Sequence, residues 1–310
     1  MENLTLEQRA KEILVANDLD FTIHKVRMMG EYIRTSNIGG VDFPVVEMVQ
    51  SPYYGLLNSK TNEIINTVKE GYTVSQNLEV VMLALKGSEN FGEIEVSNAG
   101  SLNGGRKTFI QLRISGRAKV GGDELKRYVT IIDSNDGTSG LSVGIGNLTM
   151  SCQNQFFQFY KAGQMKARHT VSLEAKIKEI PYLIKEALDQ DLRLMELFNE
   201  FQSTACSRNL ANKMVNEIIG FDRTTDQVTL DEKSSRSVNQ MNELYDNIEH
   251  EMNSKGDNFW GLFSGVTRWT THSKSAPKRT NGRLESVMVG TNYKTNQKAL
   301  EVTERLLAEA

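Results

Sequence analysis

The chain has 310 residues, 39% of them apolar and 24% charged, and a formal net charge of −3. That length buries a sizeable core without staples, and the slight acidity excludes a molecule-wide attraction to nucleic acid or to an anionic membrane, so any such attraction must come from local patches. Two cysteines, Cys152 and Cys206, in no CxxC spacing suit a reducing compartment better than a disulfide framework. No apolar stretch approaches the roughly 20 residues of a membrane span, and MENLTLEQRAKEIL lacks the pattern of a signal peptide, so a cytoplasmic protein is expected.

In chain order, Thr5 with Gln8 forms a capping-box pattern, and Leu6, Ala10, Ile13 and Leu14 fall on one face of a first helix. Short β-type runs follow, FTIHKVRMM, DFPVVEMV and EIINTVKEG, broken by SNIGG, SPYYG and NSKTN. GYTVSQNLEVVMLALK reads as a turn and then a helix. In KTFIQLRISGRAK, Ile110, Leu112 and Ile114 alternate with Gln111, Arg113, Ser115 and Arg117, the period of a half-buried strand with one apolar and one basic face. GGDE at 121–124 suits a hairpin turn into LKRYVTIID, and Asn135-Asp136-Gly137 suits a second, because these residues tolerate positive φ. In the third strand the apolar parity switches at Gly146 and Asn147, which predicts a bulge. CQNQFFQFYKAG then reads as a helix start, with Phe156, Phe159 and Tyr160 on one side.

The expected fold class is α+β: an antiparallel β-meander and a helix at about 104–163, with a helical C-terminal half. Residues 1–170 would form an α+β domain carrying the basic meander, and 171–310 a mainly helical region packed on it. Helices are expected from about residue 171 to Phe201, with a start or kink near Pro181, then over Asn209–Ile219, over Val238–Asn253 and in NYKTNQKALEVTERLL.

Catalytic patterns are sparse. The four histidines lie in no metal-ligating spacing, VGIGNL lacks the third glycine of a dinucleotide fingerprint, and no P-loop pattern occurs, so neither metal nor cofactor is expected. SNDG lacks the later glutamate of a calcium loop. An enzyme built on Cys152, His169 and Asp136 remains one alternative; it requires the three to meet in space.

Charge is more informative. Arg106, Lys107, Arg113, Arg117, Lys119, Lys126 and Arg127 face only Asp123 and Glu124 over residues 104–127, a local excess of five positive charges. Lys161, Lys166 and Arg168 extend the basic character past the aromatic run, and HSKSAPKRTNGR is basic throughout. Basic strands beside aromatics suit single-stranded nucleic acid, whose phosphates the cations track and whose bases stack on rings. The plainer reading is a charged face that stays wet over a phenylalanine core.

In order, the chain carries Tyr72, Val74, Gln76 and Asn77; Gly104, Gly105 and Arg106; Asp136 and Gly137; Cys152 and Asn154; Arg168, His169 and Thr170; and WGLFSGVTRWTTH. This set resembles the phage/plasmid-like protein family, a domain of unknown function, over about residues 45–310. Ser264 and Gly265 stand where that family often has asparagine and alanine. The resemblance supplies no activity, but it implies a mobile-element context. In architecture the chain is also similar to the RecT, Erf and eukaryotic recombination-mediator group of annealing proteins. That likeness implies a homo-oligomer holding single-stranded DNA in a basic groove, with Gln153 and Asn154 near phosphate at a helix N-terminus. The other alternative is a module that binds a host protein through its acidic helices.

Overall fold

The computed structural model describes residues 4–91, 94–138, 140–159, 166–167 and 178–310. Helix α1 (Leu6–Ala16) opens with the expected capping box: the Gln8 N–H donates to the Thr5 hydroxyl and the Thr5 N–H to the Gln8 side chain. Strands β1 (Ile23–Ile38), β2 (Val41–Asn58) and β3 (Glu63–Val68) form a three-stranded antiparallel sheet. SNIGG is its tip, where Gly39 and Gly40 take φ of +64° and +85°, the pair of left-handed residues that a two-residue hairpin turn requires. SPYYG does not break the run as the sequence suggested. Residues 51–53 are absorbed as an irregularity inside β2, opposite the step from Arg27 to Met29.

After α2 (Asn77–Phe91) comes the central sheet. Its strands are β4 (Ile94–Leu102), β5 (Lys107–Ile114), β6 (Ala118–Val120), β7 (Asp123–Ser134), β8 (Leu141–Thr149), β9 (Gln155–Phe159) and β10 (Lys166–Ala167). The order is β10-β8-β7-β5-β4, with β6 paired on β7 and β9 on β8, antiparallel throughout. The meander and both hairpin turns lie where the sequence put them; β4 was not foreseen.

Two expectations are corrected. The register of β7 on β8 runs unbroken from Leu125↔Thr149 to Ile132↔Ser142, so there is no bulge at Gly146. CQNQFF does not start a helix: Gln155–Phe159 is β9, with Phe157 opposite Gly146 and Phe159 opposite Gly144. Both departures have one cause. Residues 141–147 are buried on both faces, so the apolar parity carries no single face, and the two glycines leave room that the phenylalanine rings fill.

The rest is helical: α3 (Ile180–Ser203), α4 (Leu210–Ile219), α5 (Gln227–Asp231), α6 (Ser235–Lys255), α7 (Phe259–Arg268), a π-helical turn (Trp269–Ser273), α8 (Gly282–Met288) and α9 (Thr291–Ala308). Pro181 sits in the first turn of α3, where its missing N–H costs nothing. The expected residues 171–177 of that helix lie outside the described residues.

One face of the central sheet, with Ile110, Leu112, Val129, Ile131, Val143 and Ile145, belongs to a core that also takes in α2, α3, α6 and α7. Phe156, Phe198, Trp260 and Phe263 meet there ring against ring at centroid distances of 4.9–6.1 Å. On the other face, among the described residues, Val287 and Met288 of α8 cover one end, where they seal Leu102, Phe109, Ile132, Phe157 and Phe159. Among the described residues no helix is long and apolar enough to cross a membrane.

Candidate nucleic-acid interface

Strand alternation puts Lys107, Phe109, Gln111 and Arg113 of β5 on this second face, opposite Ser134, Ile132, Thr130 and Tyr128 of β7. The surroundings change along it. At the covered end Lys107 is buried, its Nζ 2.7 Å from Asp136 Oδ2 and 2.8 Å from Glu285 Oε1 of α8, while Arg279 Nη2 lies 2.6 Å from Glu285 Oε2. The Ser134 and Thr138 hydroxyls also donate to Asp136. Burial opposes charge on all three groups, but the hydrogen bonds win: the Asp136 and Glu285 carboxyls are held below their ordinary range, and the Lys107 ammonium above its own. Beside them the Tyr72 hydroxyl donates to Asn135 Oδ1 (3.3 Å), and the Ser75 hydroxyl donates to Asp133. Burial, with Asp133 and Asp136 nearby, pushes the Tyr72 phenol up.

Midway, Gln111 is buried and accepts from Asn98 Nδ2 at 2.9 Å. At the far end the face opens. Arg113 is exposed beside its cross-strand partner Tyr128, which is half-buried. Burial pushes the Tyr128 phenol up, with the Arg113 charge working against it. Lys126 stands two residues before Tyr128 on the same face, and Lys119 pairs with Glu124, again on that face. Arg117 is exposed in the β5–β6 turn. Arg113, Lys119, Lys126 and Tyr128 therefore share one open end of the sheet, with Arg117 at its rim. Glu124 and Glu95, the β4 partner of Arg113, are the acids among them.

The other expected residues lie elsewhere. Arg106 is exposed at the opposite end of β5, in the turn that precedes it. Arg127 points to the first face, where its Nη1 lies 2.6 Å from Asp191 Oδ2 of α3 and its Nη2 donates to the Ser115 carbonyl (3.4 Å). Gln153 is exposed at φ +54° in the β8–β9 turn. Asn154 is buried: its Nδ2 donates to the Ser264 carbonyl (3.3 Å), and its Oδ1 lies 3.2 Å from His272 Nε2. With a strand beginning at Gln155, no helix N-terminus is there to receive a phosphate. Lys166 pairs with Ser142 through the backbone of β10, and Lys161, Arg168 and His169 lie outside the described residues.

Cys152 follows the far end of β8 and Asp136 precedes its near end, so the 9-residue strand separates them by about 27 Å at ~3.3 Å per residue. A direct Cys152, His169 and Asp136 constellation is thereby excluded. Burial also pushes the Cys152 thiol up, away from the reactive thiolate. Among the described residues His272 reaches this turn, its Nε2 3.0 Å from the Cys152 carbonyl oxygen, and burial lowers its pKa below the ordinary histidine value.

Several other residues of the ordered set carry structure. Trp260 Nε1 donates to Asp123 (2.8 Å), which also pairs with Lys255, so the β6–β7 hairpin is fastened to α6 and α7. Gln76 donates to the Ile23 carbonyl and accepts from the Ile23 N–H, and Asn77 donates to the Leu19 carbonyl, closing the segment before α2 onto the chain ahead of β1. A family model described as Domain of unknown function (DUF932) matches residues 64–301. The chain belongs to that family. No curated protein and no solved structure matches it. The DUF932 span takes in the whole central sheet and the open basic end, whereas β1 and β2 lie ahead of it.

Tyr128 is the residue of this interface that sequence reading passed over. Its signal was available in KRYVTIID, where it falls on the same parity as Lys126. Only the cross-strand pairing puts it beside Arg113.

Proposed function

We propose that the chain is a non-catalytic single-stranded DNA binding protein of a phage or plasmid, promoting annealing through the open end of its central sheet. The observation that carries this reading is the adjacency of exposed Arg113 and half-buried Tyr128 across β5 and β7, with exposed Lys119 and half-buried Lys126 on the same face. Cations at strand spacing follow a phosphate backbone, and a phenol ring among them offers a base a stacking partner at about 1–3 kcal/mol. The resemblance to phage- and plasmid-encoded proteins supports the setting.

Fluorescence anisotropy of a labelled single-stranded oligonucleotide tests it. Arg113→Glu with Lys126→Glu should weaken binding at least about tenfold at low salt, about 1.4 kcal/mol, whereas Arg106→Glu at the opposite end should leave it nearly unchanged. Equal binding by the double variant and the native chain would refute the site. No binding by the native chain at low salt would refute the function and favour a protein-binding module.

A further inference from the structure

Asn147 stands where the period of β8 calls for an apolar residue. It follows Val143 and Ile145 on the first face of the sheet, and it is 4% exposed. Its cross-strand partner on β7 is Arg127, so the two side chains leave that face next to each other. Asp191 of α3 closes over them, itself buried and 2.6 Å from Arg127 Nη1. On the β9 side Asn147 pairs with Phe156, whose ring packs against Phe198 and Phe263 in the aromatic core. Sheet, α3 and core thus enclose three polar side chains.

Their hydrogen bonds do not close. Among the described residues neither Asn147 Oδ1 nor Asn147 Nδ2 meets a partner, and the same holds for Arg127 Nε and Asp191 Oδ1. Arg127 directs its other nitrogens to Asp191 Oδ2 and to the Ser115 carbonyl of the β5–β6 turn. Buried polar groups almost always have a partner, whether protein or ordered water, because an unmet one keeps the full cost of leaving solvent. Four such atoms on three neighbouring side chains mark a ligand site, and the donor set fixes its chemistry. Asn147 Nδ2 and Arg127 Nε offer N–H groups, whereas Asn147 Oδ1 and Asp191 Oδ1 offer lone pairs, so the occupant both donates and accepts. Arg127 and Asp191 already neutralise each other, which leaves neither a cation nor an anion a net attraction. Enclosure admits only something small. Water meets all three demands, and about three hydrogen bonds are what an internal water ordinarily makes.

We propose that Asn147, Arg127 and Asp191 hold an internal water between the central sheet and α3. The water joins the Arg127–Asp191 pair to β8 through Asn147. It lies on the face opposite to the open basic end, so it stands or falls independently of DNA binding. A crystal structure of the full chain, at a resolution that shows ordered solvent, reads the site directly. Density for a water about 2.7–3.2 Å from an Asn147 side-chain atom and from Asp191 Oδ1 is the expected result. A dry site, with Asn147 turned to bond Arg127 Nε or Asp191 Oδ1 directly, would overturn the proposal. In solution, the Arg127 Nε–H of isotope-labelled protein should show a cross-relaxation peak to a long-lived water, and its absence from the native chain would count equally against the site. Asn147→Leu removes both polar atoms of the asparagine and puts methyl groups in their place. In that variant the peak should vanish while the circular dichroism spectrum stays unchanged; a peak of undiminished strength would show that Asn147 does not hold the water. Should the variant fail to fold, the native crystal structure and spectrum still decide.

Discussion

The Lys107 ammonium sits between two carboxylates, Asp136 at 2.7 Å and Glu285 at 2.8 Å, with its side chain 7% exposed. Replacing it by methionine leaves Asp136 buried without its counter-charge and Glu285 with Arg279 alone, a change that costs about 3–5 kcal/mol when such a pair is broken from one side. Urea unfolding near neutral pH should show a loss of that order for Lys107→Met. The pH dependence follows from the directions of the shifts. Asp136 and Glu285 have folded pKa values below their ordinary 3.8 and 4.5, so their contribution is present above those values and fades as pH falls through the lower folded ones. Lys107 is raised above 10.5, so its share persists below that value and fades as pH rises through the folded one. The gap between native and variant should therefore be flat between about pH 5 and 10 and shrink as pH falls below the ordinary carboxylate range. A gap that widens in acid would show that this cluster is not what Lys107 stabilises. Nothing in KTFIQLRI separates Lys107 from Arg113: both are cations at odd positions of one strand. What separates them is Glu285, 178 residues further along the chain, which turns one into an internal counter-ion and leaves the other on the surface. The strand was legible in the sequence; the fate of each cation on it was not.

Among the elements, β8 and β9 depend on each other most closely. A Cβ on Gly144 would come within 2.3 Å of the Gln158 carbonyl oxygen and 2.9 Å of Phe159 Cα, both backbone atoms that can yield only if the strands part. Gly144→Ala should therefore cost about 1–3 kcal/mol and lower the thermal midpoint. Gly71→Ala, where a Cβ meets nothing within 4 Å, should change it little. Equal melting of the two variants would mean that β9 does not pack on β8 as described. The same contact explains why this region misled sequence reading. Phe156, Phe159 and Tyr160 fit a helical stripe, yet Phe157 and Phe159 equally fit the period of a strand, and five residues are too few to decide. The deciding feature was the Gly-x-Gly spacing on the preceding strand, which matches two rings two residues apart. Where the signal was local the reading held: the Thr5 capping box, the SNDG turn and the Pro181 helix start all follow from residues within one turn of each other. The ribbon at residues 29–50 shows the opposite limit, since neither the length of β1 and β2 nor the fact that, among the described residues, β3 pairs only with the base of β2 is a local property.

For the whole molecule, charge placement matters more than total charge. A net −3 gives oligonucleotides no general attraction, so the binding proposed at this end of the sheet would have to draw on Arg113, Arg117, Lys119 and Lys126, with Glu95 and Glu124 opposing them. Each single-strand phosphate neutralised contributes about −0.7 to the slope of log affinity against log salt, so four cations set a slope near −3. Removing Arg113 or Lys126 singly should make the slope shallower by about 0.7 and weaken binding alike for all sequences. Arg127 provides the contrast. It neighbours Lys126 in the chain but faces Asp191, which is 1% exposed and whose carboxyl burial already pushes up against the Arg127 charge. Arg127→Gln should lower thermal stability, because it strands a buried carboxylate between sheet and α3, and should leave the salt slope as it was. If Arg127→Gln flattened the slope while Lys126→Gln did not, DNA would be meeting the opposite face of the sheet, and α3 would have to move away from it for binding to occur.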